Sequence, residues 1–127
     1  MIVSARGLRF WAGLVLSVIV VLITSRLVEG HAVLKETSPT ANSTVAGPDV
    51  PIQLKFNTRI DATRSKLQLL LPDNTTEPLT VNKQAPSDTL SAKATGLKPG
   101  AYKIQWQVLA PDGHITRGVV PFNVAGS

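Results

Sequence analysis

The sequence predicts an all-β sandwich or barrel of six to eight strands behind a cleavable export leader. Three observations predict it. After residue 31 the apolar residues come in short alternating runs with no sustained helical period. Turn-forming clusters of Pro, Gly, Asn, Asp and Ser recur at roughly the 8–12-residue spacing of short strands. Ahead of these runs, Arg6 and Arg9 precede a 16-residue uncharged apolar run over residues 10–25.

That run is shorter than the ~20 apolar residues needed to span a bilayer. Gly30 at −1 and Val28 at −3 of a cut before His31 fit a secretory signal peptide. Residues 1–30 are therefore read as a signal peptide and residues 31–127 as one domain, periplasmic or extracellular. An uncleaved signal anchor is the competing reading, with Arg26 and Glu29 crowding the junction.

In the 97 residues that remain, 31–36 read as a first strand, ended by Ser38-Pro39. Residues 40–51, rich in Thr, Ser, Asn, Gly and Pro, read as loop. Ile52, Leu54 and Phe56 alternate with Gln53 and Lys55, the pattern of a half-buried strand. Residues 57–65 are polar, a loop or helical turn. Leu67, Leu69 and Leu71 alternate next, ended by the turn Pro72-Asp73-Asn74. Leu79 with Val81 suggests a short strand, and residues 89–94 another. Lys98-Pro99-Gly100 launches the longest strand, with Tyr102, Ile104, Trp106 and Val108 on one face. The last strand is placed over 118–124, with Val120, Phe122 and Val124 facing inward.

Composition removes several classes of function. There is no cysteine, which excludes disulfides, zinc–thiolate sites, blue-copper centres and a cysteine nucleophile. No serine lies in a nucleophile-elbow sequence, so a triad hydrolase is a poor reading. Beyond the leader stand 10 basic and seven acidic residues, a net of +3. The basic residues, among them Lys55, Arg59, Arg64, Lys66, Lys93 and Lys98, are scattered, so nothing points to nucleic acid.

Only two histidines occur, His31 and His114. If the leader is cut after Gly30, His31 starts the mature chain and offers both an α-amine and an imidazole. Asp112 and His114, two apart across Gly113, project to one side of an extended backbone. In a sandwich the first strand can lie beside the last ones. Two imidazoles, one amine and one carboxylate give three nitrogens and one oxygen, a set suited to tetragonal Cu(II). The sole methionine is Met1, so the soft donors that Cu(I) prefers leave with the leader.

His31-Ala32-Val33-Leu34, Ser38-Pro39 and Ile52-Gln53-Leu54-Lys55-Phe56 resemble the opening of CopC-type periplasmic copper-resistance proteins. Gly100-Ala101-Tyr102, Trp106, Asp112-Gly113-His114, Gly118 and Phe122-Asn123-Val124 resemble that family's C-terminal signature. The resemblance implies a seven-stranded, cupredoxin-like Greek-key β-sandwich or barrel. It also implies Cu(II) held through His31, Asp112 and His114, without catalysis, and a CopD-type inner-membrane partner; the chain is expected to be a monomer. Some family members carry a further acidic residue just after the strand ending at Phe56. Here Asn57-Thr58-Arg59 stands at that place, so such a carboxylate is missing or displaced to Asp61. The alternative is a small histidine-brace copper monooxygenase, which the few aromatics, mostly at core periodicity, do not favour.

Overall fold

A computed structural model describes residues 31–126; the expected leader, residues 1–30, lies outside the described residues. Eight strands run in order: β1 (Leu34–Ser38), β2 (Thr44–Val45), β3 (Val50–Phe56), β4 (Lys66–Leu70), β5 (Thr76–Leu79), β6 (Thr89–Ala94), β7 (Gly100–Leu109) and β8 (Ile115–Val124). They form a three-stranded sheet, β1-β3-β6, and a five-stranded sheet, β2-β8-β7-β4-β5. Among the described residues no helix is long and apolar enough to cross a membrane.

The alternating residues build the core from both sheets. Ile52, Leu54 and Phe56 of β3 are buried, as are Tyr102, Ile104, Trp106 and Val108 of β7 and Val120, Phe122 and Val124 of β8. Because side chains alternate across a strand, the same strands put Gln53, Lys55, Lys103 and Asn123 outside. Phe56 meets Trp106 edge-on with ring centroids 5.2 Å apart, which joins the sheets at the end of β3.

The expected all-β sandwich is present, and its boundaries differ where periodicity carries no signal. The seven longer strands are joined by β2, two residues inside the expected 40–51 loop, which pairs parallel to β8 through Thr44↔Asn123 and Val45↔Val124. Two residues are too few to show alternation. Strand β3 starts at Val50; its Pro51 lies beyond Ser38↔Gln53, the last pair with β1. Leu71 falls just after β4, and β5 ends at Leu79 with Val81 outside it. Strand β8 starts at Ile115 rather than at 118, because Leu109↔Ile115 and Val108↔Thr116 extend the hairpin through a stretch with little apolar alternation. Strand β1 starts at Leu34 rather than at His31. Its last partner is Phe56, after which β3 ends; beyond it Val33 is still bonded to Asn57, and the regular ladder stops there.

Candidate metal centre

The β7–β8 hairpin closes with residues 110–114. Ala110 N–H donates to the His114 carbonyl at 2.9 Å, and Gly113 N–H to the Ala110 carbonyl at 3.0 Å. Gly113 has φ 85°, a left-handed conformation that glycine adopts without the penalty of a side chain. A Cβ there would meet nothing within 4 Å, so the backbone angle and not crowding calls for glycine.

This turn fixes both of its candidate ligands. His114 N–H donates to Asp112 Oδ1 at 3.0 Å, an Asx-type bond that holds the aspartate over the turn. That backbone bond is the main cause holding the Asp112 carboxyl below its ordinary range, with the imidazoles adding smaller effects in the same direction. The carboxylate is thus ionised at neutral pH and can only accept hydrogen bonds. His114 Nδ1 lies 2.8 Å from Asp112 Oδ2, so Nδ1 carries the proton there and Nε2 keeps its lone pair. A carboxylate has roughly four lone-pair sites, so bonding to His114 leaves others open to a cation.

His31 comes from the far end of the chain. Its Nδ1 lies 3.9 Å from Asp112 Oδ2, and its ring centroid is 4.6 Å from that of His114. Nδ1 is the imidazole nitrogen close enough to its own residue's backbone nitrogen for both to hold one ion. Ligand atoms of His31, Asp112 and His114 all lie within 4.8 Å of one another. Bonds of about 2.0–2.2 Å bring donors on one ion within about 4.4 Å. Small rotations of exposed side chains cover that difference. The His31 and His114 side chains are 57% and 64% exposed, so an ion held here would face solvent and any docked partner.

The three residues singled out in the sequence are therefore neighbours. The displaced carboxylate considered at Asp61 is absent from this cluster. Asp61 Oδ1 instead accepts from Thr63 N–H at 3.0 Å and Arg64 N–H at 3.2 Å, which caps the turn after β3. Sequence reasoning gave no role to Asn57. Its Oδ1 accepts from Val33 N–H at 2.7 Å, and its own N–H donates to the Val33 carbonyl at 3.0 Å. The only sequence signal for this was a short polar side chain directly after a strand.

Residues 34–125 match the family model for the CopC domain. Protein YobA of Escherichia coli K12 is 31% identical over 124 residues, covering 95% of this chain and 97% of that protein. The crystal structure of CopC from Methylosinus trichosporium OB3b superposes with a TM-score of 0.66 at 28% identity, over 74% of this chain and 93% of that one. PcoC, a methionine-rich copper resistance protein from Escherichia coli, gives a TM-score of 0.63 at 26% identity, over 75% of this chain and 99% of that one. The present sequence departs from PcoC in having a single methionine, Met1. With the matched residues spanning all eight strands, the chain belongs to the CopC family.

Proposed function

We propose that residues 1–30 are removed as a signal peptide and that the domain from His31 onward holds one Cu(II) ion outside the cytoplasm. The ligands are the His31 α-amine and imidazole, the His114 imidazole and an Asp112 oxygen. The protein buffers copper and hands it to a CopD-type inner-membrane partner, acting as a non-catalytic monomer in copper resistance or homeostasis. The observation that carries this reading is the gathering of the only two histidines and an ionised carboxylate at one exposed end of the sandwich.

Membership of a family whose solved members include a copper resistance protein supports copper as the ion. So does the donor set, since a nitrogen-rich site without thiolate or thioether ranks Cu(II) above Ni(II) and Zn(II). Exposure of both imidazoles suits release to a docked partner.

Titration of the chain starting at His31 should show one Cu(II) per molecule at pH 7, with affinity falling steeply toward pH 5. The sign follows from proton competition. Imidazole and α-amine groups ordinarily protonate near about 6.5 and 8, and a protonated nitrogen binds no metal. The carboxyl of Asp112, held low by the His114 backbone, stays ionised across this window and contributes no loss of its own. Affinity that does not change between pH 7 and pH 5, or more than one tight site per chain, would contradict the assignment.

A further inference from the structure

The structure assigns Asn57 as a positioning residue that holds the N-terminal segment in place so that His31 reaches Asp112 and His114. This inference rests on the proposed copper site. Three residues, 31–33, lie outside the strands before β1 begins at Leu34. Left free, each would lose backbone freedom only on binding, which costs roughly tenfold in affinity per residue.

Two features prevent that. Ala32 is buried at 3% exposure, while Val33 is 56% exposed and His31 is exposed too. Burying one residue of an extended segment turns both neighbours outward, so Ala32 sets the face on which His31 emerges. Asn57 then fixes the backbone. Its side-chain Oδ1 takes the Val33 N–H and its backbone N–H reaches the Val33 carbonyl, so both Val33 polar groups are bound across a separation of 24 residues. The amide side chain thereby supplies the acceptor that β3 no longer offers after Phe56. Phe56, the residue next to Asn57, packs on Trp106 of β7, so the clamp is anchored to the strand that leads into the Asp112 turn.

Asn57 is exposed, and an exposed hydrogen bond adds little net stability. Its loss should therefore be felt in the site more than in the fold. Freeing the backbone that Asn57 holds returns about one residue's ordering cost to the binding step, roughly tenfold in affinity.

The test compares the chain starting at His31 with its Asn57→Ala variant. In the metal-free proteins, exchange of the Val33 amide hydrogen should accelerate roughly tenfold or more in the variant, while Tm moves by less than about 3 °C. Titration with Cu(II) alone should show affinity lower by about tenfold. Unchanged Val33 exchange would overturn the inference. So would faster exchange with unchanged copper affinity, or an affinity loss matched by a large fall in Tm. If the parent chain itself binds no Cu(II), the proposed function fails, and the positioning role fails with it even if Val33 is clamped.

Discussion

In the chain that starts at residue 31, His31→Ala should lower Cu(II) affinity by roughly 100-fold or more, about 2.8 kcal/mol. The substitution removes an imidazole whose Nδ1 already sits 3.9 Å from Asp112 Oδ2. It also breaks the chelate, because the remaining amine would bind without a ring nitrogen from its own residue. Acetylating the His31 α-amine should act in the same direction, with the imidazole intact. Neither change should disturb folding, since the His31 side chain is 57% exposed and precedes the first strand. Competition with a chelator of known affinity measures the loss, and a thermal melt checks the fold. Near-normal affinity after both changes would remove His31 from the site.

The second large effect concerns the fold. Gly118→Ala should destabilise the domain by about 2 kcal/mol, through overpacking, and lower Tm by roughly 10 °C. A Cβ at position 118 would overlap Cζ2 of Trp106 and lie 2.7 Å from its Nε1. The indole cannot easily retreat, because it is 7% exposed and lies edge-on against Phe56. Its Nε1 is already buried without a hydrogen-bond partner among the described residues, so the site has little slack. Trp106 is the only tryptophan beyond residue 30, so its fluorescence reports directly on displacement of this ring. A melt unchanged to within about 1 °C would show that the ring moves aside freely.

What the sequence made legible was what period and count can carry. Alternation at Ile52-Leu54-Phe56 and Tyr102-Ile104-Trp106-Val108 marked the buried faces, because a sheet with one face covered must alternate. Extended backbone, the expected reason for Asp112 and His114 to share a side, is not what places them; residues 111–113 form a turn with Gly113 at φ 85°, and the bond from His114 N–H to Asp112 Oδ1 brings the two together. Strand β2 was not legible, because its two residues are held by partners in β8 and not by any local pattern. The start of β8 was hidden by Thr116, Arg117 and Gly118, of which the glycine is explained only by the tryptophan across from it.

The three proposed ligands were legible for a different reason. Histidine is so scarce here that two of them and a nearby aspartate left few combinations. Their proximity was expected from a first strand lying beside the last ones, but its route was not legible: β1 and the β7–β8 hairpin belong to different sheets, which meet where Phe56 packs on Trp106. Asn57 was missed because a single side-chain bond to a backbone 24 residues away leaves no trace in periodicity. Asp61 was the plausible carboxylate by position, yet its oxygen is committed to the amides of Thr63 and Arg64.

The most direct measurement is the electron paramagnetic resonance spectrum of one equivalent of Cu(II) on two chains starting at His31, one with its α-amine free and one with that amine acetylated. An axial, tetragonal signal with nitrogen hyperfine structure is expected for the first chain. A different spectrum, with a nitrogen donor lost, is expected for the second. Identical spectra from the two chains, or the signal of hydrated copper from the first, would contradict a centre built on a terminal His31.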